Sequence, residues 1–291
     1  MQKLIAVLRL LRPANIITAC ADILAGFGVA GLPINSLNSL FLLLLTTMCL
    51  YGGGVMLNDV CDAELDKKER PERPIPRGIV SKKEASFIAF GLIILAILFA
   101  SFVSLTSGIL ALSIAVLSII YDAYTKHSLW LGPLNMGLCR GFNLLLGMSI
   151  VESALQNNWL LMVIPLIFIA AVTFVSKEEV YGGKKQLLLL SLVLYIITIV
   201  AVLLLPTMTD FHFLSALPFL IVFALLILYS LSKAIQTPQP EKIKKAVKMG
   251  IIGLILLDAA IAAGYATWWY GILLLILLPF SIGLAKLFAV T

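Results

Sequence analysis

The residues of this chain best suited to chemistry lie close together: Asn58-Asp59-Val60-Cys61-Asp62-Ala63-Glu64-Leu65-Asp66. They read N-D-x-x-D-x-x-x-D at the end of a long apolar run, and Arg73-Pro74-Ile75-Pro76-Arg77-Gly78 follows. Asp59 and Asp62 are three apart, and Asp62 and Asp66 four apart. On a helix that spacing gathers them on one face. Like charges so placed repel each other, and near a helix C-terminus they also oppose the macrodipole. Such a cluster makes sense when something positive fills it. Oxygen-only donors predict Mg2+, which binds through one or two carboxylates and completes its shell with water and substrate phosphates.

Further candidates lie inside apolar stretches: Asp22, Asp122, Arg140 and Asp258. Charge within a membrane is costly and reads as functional by default. The structural alternative is a buried pair, for example Arg140 with Asp122. Asn143 lies three residues after Arg140, on the same helical face. Tyr121, Tyr124 and Tyr181 suit either interfacial anchoring or shielding of a cation. Gly52-Gly53-Gly54 predicts either a kink or close helix packing. The four cysteines include no C-x-x-C pair and none lies in an outer loop, so neither disulfides nor zinc are expected. The two histidines, His127 and His212, fall on opposite sides of the membrane and make no shared site.

The elements that position these groups are membrane helices. The 291 residues are 61% hydrophobic and 12% charged, with mean hydropathy +1.08. A soluble domain is about half apolar and about a quarter charged. Ten apolar segments are predicted: Ala14–Leu32, Asn38–Leu57, Glu84–Val103, Gly108–Tyr124, Pro133–Val151, Asn158–Val175, Lys185–Leu205, Phe213–Leu231, Ala246–Ala266 and Trp268–Leu287. Several approach the length that crosses a hydrocarbon core of about 30 Å. With a cytoplasmic N-terminus and alternating spans, twenty of the 21 Lys and Arg fall on the cytoplasmic side. The acidic motif and the C-terminus then lie there too, and the remaining cation, Arg140, is within a span. The net charge of +6 is therefore a topology signal and does not indicate nucleic acid. Residues 4–11 are amphipathic and basic and predict a helix lying on the membrane surface. No cleaved signal peptide is expected, and the chain reads as one membrane domain.

N-D-x-x-D-x-x-x-D after the second span, followed by R-P-I-P-x-G, resembles the UbiA superfamily of intramembrane prenyltransferases. Arg12-Pro13-Ala14-Asn15 and Tyr124-Thr125-Lys126 are similar to that family too. The resemblance runs through about residue 266. It implies an all-α membrane fold, a bundle of nine transmembrane helices around a cavity open to lipid, with residues 267–291 adding a tenth. It also implies Mg2+-dependent transfer from a polyprenyl diphosphate to a small acceptor, often aromatic. By matching position, Asn58, Asp59, Asp62 and Asp66 would hold Mg2+, and Arg73, Arg77 and Lys126 would meet the diphosphate. Asp62, Asp66, Lys126 and Arg140 are then the expected catalytic residues, with Asn143 at the acceptor. The family's second motif is D-x-x-x-D after span six, yet no Asp occurs between Asp122 and Asp210; Glu178 and Glu179 stand in as the expected second anchor. His127 follows Lys126 where the family usually has arginine. Ser-Lys-x-Glu-Val-x-Gly-Gly from Ser176, with Cys139-Arg140-Gly141-Phe142-Asn143, resembles the divergent EboC branch. That branch implies an inner-membrane protein working with the partner proteins of a metabolite gene cluster. Its alternative function is non-transferring, binding or helping to export a small-molecule precursor.

Overall fold

The computed structural model describes residues 2–179 and 185–288. The first helix, α1 (Gln2–Leu11), ends at Arg12, whose φ of 49° and ψ of 63° are left-handed. An L-residue held there costs about 1–2 kcal/mol. Pro13 has no N–H to continue α1 but suits the first position of α2 (Pro13–Val29). The two helices meet at 43°.

A short turn leads into α3 (Leu37–Cys61), and α4 (Ala63–Glu69) follows after a local unwinding at Asp62. Ser81 starts α5 (Lys82–Val103) with a reciprocal cap: Glu84 N–H donates to Ser81 Oγ at 3.2 Å, and Ser81 N–H donates to Glu84 at 3.0 Å. Ser104 caps α6 (Leu105–Ile120), which closes in a π-helical turn, Tyr121–Thr125. Then come α7 (Leu131–Met148), the short α8 (Glu152–Asn158), α9 (Val163–Ser176), α10 (Lys185–Leu204) and α11 (Phe213–Gln236). The chain ends with α12 (Pro240–Tyr265), α13 (Trp268–Leu275) and α14 (Leu277–Phe288).

Nine of the ten predicted apolar segments centre on a single helix each, and Trp268–Leu287 covers both α13 and α14. Among the described residues, eight helical stretches are long and apolar enough to cross a membrane, and the bent pair α1–α2 makes a ninth. The tenth segment is α7, whose hydropathy is diluted by Asn135, Arg140 and Asn143. One predicted boundary moves in an informative way: α3 continues past Leu57, so Asn58 and Asp59 belong to the spanning helix itself.

The axis of the bundle is α12, buried on every side from Gly253 to Gly264. A helix apolar all round belongs at the centre of its fold, and α12 packs against α2, α9, α11 and α13. The last helices dock on α2 through two side chains: Tyr270 Oη donates to the Leu24 carbonyl at 2.9 Å, and Ser281 Oγ donates to the Ala14 carbonyl at 3.0 Å.

Small residues set the closest crossings. The glycine run in α3 serves close packing, and α3 runs through it as one unbroken helix. A Cβ on Gly53 would sit 2.9 Å from the Ala89 carbonyl, and one on Gly54 would sit 2.5 Å from Ser118 Oγ. Where α2 crosses α7, a Cβ on Gly26 would lie 2.5 Å from the Leu144 carbonyl, and one on Gly147 would run into the Ile23 backbone. Gly147→Val is therefore expected to destabilise the protein by about 1–3 kcal/mol or more. Thermal unfolding in detergent checks this, and an unchanged melting temperature would contradict the tight crossing.

Candidate active site

The acidic motif and its basic neighbours meet at one end of the bundle. Asp59, 4% exposed, accepts from Arg12 at 2.7 Å and from Arg73 at 3.0 Å. The same Arg73 reaches Asp66, 5% exposed, at 2.7 Å. Asp62 is paired with Lys126. Asn58 Nδ2 donates to Asp122 Oδ1 at 2.7 Å. Buried carboxylates require such partners, since an unpaired buried charge is strongly destabilising.

Local structure explains each placement. The left-handed Arg12 junction turns its guanidinium back over α3. Prolines 74 and 76 stiffen the loop that carries Arg73. Ile75, Ile79 and Val80 anchor that loop in a small apolar cluster with Ala6, Leu10 and Met56. The π-helical turn presents Asp122 to Asn58 and leads directly into Lys126. Such turns recur at functional sites. Lys177, just beyond α9, donates to the carbonyls of Lys126 at 3.2 Å and Ser128 at 2.7 Å, fastening the loop that bears Lys126. Partial burial holds the Lys177 ammonium below the ordinary lysine range.

Behind this cluster lies a cavity of about 210 Å³. Arg12, Asn58, Tyr121 and Asp122 line the end nearest the acidic motif, and Leu50, Ile114 and Met136 form apolar wall. Thr47, Tyr51, Arg140 and Asn143 also line it. Thr47 lies eleven residues before Asn58 on α3, about 16 Å along the helix axis. At that depth the polar groups form one network. Arg140 donates to Asp22 Oδ2 at 2.9 Å and to Thr18 Oγ1 at 3.0 Å. Asn143 Nδ2 donates to the same Asp22 oxygen and to the Ala19 carbonyl, both at 2.8 Å. Thr47 Oγ1 donates to Asn143 Oδ1 at 2.8 Å. The Arg140 guanidinium stands 5.1 Å from the centre of the Tyr51 ring, within cation–π range.

The structure brings together Asn58, Asp59, Asp62, Asp66, Arg73 and Lys126 at the cavity end, with Arg140 and Asn143 deeper in the same cavity. Several expectations change. Arg140 pairs with Asp22 and not with Asp122, because Asp122 is taken by Asn58 and the glycine crossing of α2 and α7 sets Asp22 beside Arg140. The three aspartates do not act as one face: Asp59 and Asp66 share Arg73, whereas Asp62, at the unwound step between α3 and α4, turns to Lys126. Arg77 is exposed and takes part in no ion pair among the described residues. Glu178 and Glu179 lie half-buried on the turn after α9, next to Lys177. Tyr124 is 80% exposed and suits anchoring, while Tyr121 lines the cavity. Tyr181 lies outside the described residues. Sequence reasoning did not assign Arg12, Tyr51 or Thr18 to the site. Only the break implied by Arg12-Pro13 hinted that Arg12 leaves its helix.

Among the described residues, no three His, Cys, Asp or Glu side chains are arranged as a ready metal cage, since each carboxylate of the motif faces a cation or an amide. The donor set nevertheless suits a hard cation carrying an anion. Asn58, Asp59, Asp62 and Asp66 offer only oxygen to the metal, and Arg12, Arg73 and Lys126 match phosphate oxygens.

Comparison with known proteins agrees with this geometry. The model of the UbiA prenyltransferase family matches residues 20–252. The chain is 24% identical over 275 residues to the digeranylgeranylglyceryl phosphate synthase of Methanosphaera stadtmanae, covering 88% of this chain and 98% of that one. It is 29% identical over 176 residues to the enzyme of that name from Saccharolobus solfataricus, covering 60% and 61%. Among solved structures, one of digeranylgeranylglyceryl phosphate synthase superposes with a TM-score of 0.71 at 22% identity, covering 91% of this chain and 99% of that one. A UbiA homologue from Archaeoglobus fulgidus bound to GPP and Mg2+ gives 0.69 at 18% identity, covering 88% and 99%.

Proposed function

This chain belongs to the UbiA prenyltransferase family, and from that premise we propose that it moves a prenyl group from an allylic polyprenyl diphosphate to a small acceptor inside the bilayer. The observation that supports this most is the meeting of three carboxylates and three cations at the end of an apolar-walled cavity.

In the reaction the allylic C–O bond breaks, a bond to the acceptor forms, and the acceptor gives up a proton. Asn58, Asp59, Asp62 and Asp66 would hold Mg2+, whose chemistry is to neutralise charge on the departing diphosphate. Arg12, Arg73 and Lys126 donate to diphosphate oxygens. Fixed donors aimed at developing charge in a water-poor site are the largest usual source of such catalysis. Leu50, Ile114 and Met136 keep water from capturing the allylic carbon, and the faces of Tyr51 and Tyr121 suit its positive charge. Arg140 and Asn143 orient the acceptor. Glu178 and Glu179, close to the loop Lys177 fastens, are the second anchor of the diphosphate end.

For the acceptor, the resemblance to the UbiA superfamily implies a small aromatic, whereas the name of the relatives puts a glyceryl phosphate in their product. We favour an acceptor with an anionic or hydroxyl head, because Arg140, which gives one N–H to Asp22 and one to Thr18, keeps further donors at the cavity. Of the two motifs that resemble EboC, with its gene-cluster partners, Cys139-Arg140-Gly141-Phe142-Asn143 bears on this acceptor end. The asymmetry of Lys and Arg supports a topology with the acidic motif and both termini on the cytoplasmic side of the inner membrane, with residues 1–266 as the core and 267–291 as an added span.

Geranyl, farnesyl and longer diphosphates are expected to raise the melting temperature of the purified protein only with Mg2+ present. A ligand at 100 times its Kd adds about 2.7 kcal/mol. Absence of a shift at every chain length would overturn the diphosphate assignment.

A further inference from the structure

Three buried oxygen atoms near the centre of the bundle have no hydrogen-bond partner among the described residues: Asp22 Oδ1 and both carboxyl oxygens of Asp258. Both residues are 0% exposed. Asp22 is on α2 and Asp258 on α12, the central helix that packs along it, and the two carboxyl groups lie within hydrogen-bonding reach of each other. Arg140 faces this pair and Cys20 is close by.

The charges do not balance if both acids are ionised. Arg140 compensates one carboxylate, and its ion pair goes to Asp22. A second carboxylate would remain uncompensated in the interior of a membrane protein, which is very costly. Two carboxylates in contact also have no hydrogen to place between their oxygens. Carboxyl pairs in that position hold one proton in common. A single proton resolves the charge and pairs two of the three orphaned atoms. The third is then the carbonyl oxygen of a neutral acid.

We propose that Asp22 and Asp258 hold one proton between them, with Asp258 the neutral acid that donates to Asp22 Oδ1 and thereby steadies the carboxylate that aims Arg140 and Asn143 into the cavity. Asp258 is then a positioning residue: it lines no part of the cavity and acts through Asp22. The idea that it serves acceptor binding rests on the function proposed above; its protonation does not.

The test compares the full-length protein with Asp258→Asn and Asp258→Leu. Infrared difference spectra of wild type against Asp258→Asn at neutral pH are expected to show the C=O stretch of a protonated carboxyl, lost in the variant and shifted by 13C-aspartate labelling. Asparagine keeps a donor towards Asp22, so transfer is expected to stay within about threefold of wild type. Leucine keeps the bulk without the donor, and its KM for the acceptor is expected to rise about tenfold or more, while stabilisation by diphosphate with Mg2+ is unchanged. If the leucine variant does not fold, the spectrum and the asparagine variant still decide. No protonated-carboxyl band, or an asparagine variant as impaired as leucine, would overturn the proposal. A clear band in a protein without prenyl transfer would instead overturn the reading of the cavity and leave the shared proton standing.

Discussion

Asp62→Asn is expected to lower prenyl transfer by about 10²–10³-fold, the loss typical of removing one group that stabilises transition-state charge. The substitution preserves shape and still offers an oxygen to Lys126, so the helix junction and the Asp62–Lys126 contact survive. Only the carboxylate charge is removed. The fold is therefore expected to melt near the wild-type temperature, with Mg2+-dependent stabilisation by diphosphate reduced or gone. A transfer assay run beside thermal unfolding separates the two effects. Transfer within a few-fold of wild type would remove Asp62 from the site.

Arg140→Met should have the largest effect on stability. It fills similar space but strands Asp22 at the centre of the bundle, where removing one partner of a buried pair costs about 3–5 kcal/mol. The amide of Asn143 and the hydroxyl of Thr18 stay in place and do not replace the charge. Adding Asp22→Asn should recover part of the loss, since the stranded charge disappears with it. The four proteins of that cycle, compared by thermal unfolding, measure the coupling directly. Strictly additive losses would show that the pair contributes no interaction energy.

Much of this was legible in the chain. Apolar length and the one-sided distribution of Lys and Arg gave the spans, because the bilayer imposes both. The acidic motif with its arginine-proline tail gave five residues that meet in space, and Tyr124-Thr125-Lys126 gave a sixth, Lys126. Two kinds of information were missing. One was long-range choice of partner. Asp22 and Asp122 look alike as intramembrane acids near Arg140, and only the glycine-mediated approach of α2 to α7 decides between them. The other was backbone detail. The left-handed Arg12 and the π-helical turn at Tyr121–Thr125 depend on tertiary packing, and they deliver Arg12 and Asp122 to the site. Arg77 is a different case: its motif is intact, and its loop leaves it exposed and outside the ion-pair cluster of the described residues.

The pairing of every motif aspartate with a basic side chain has a thermodynamic consequence for ligand entry. Without ligands the site is its own counter-ion: Arg12, Arg73 and Lys126 neutralise Asp59, Asp62 and Asp66. A divalent cation arriving alone must displace those ammonium and guanidinium groups and leave them without anions. A diphosphate arriving alone recruits the same groups and leaves the carboxylates bare. Arriving together, each takes up what the other sets free. On the proposed assignment the two are therefore positively coupled, and linkage requires the factor by which the metal tightens diphosphate to equal the factor by which diphosphate tightens the metal.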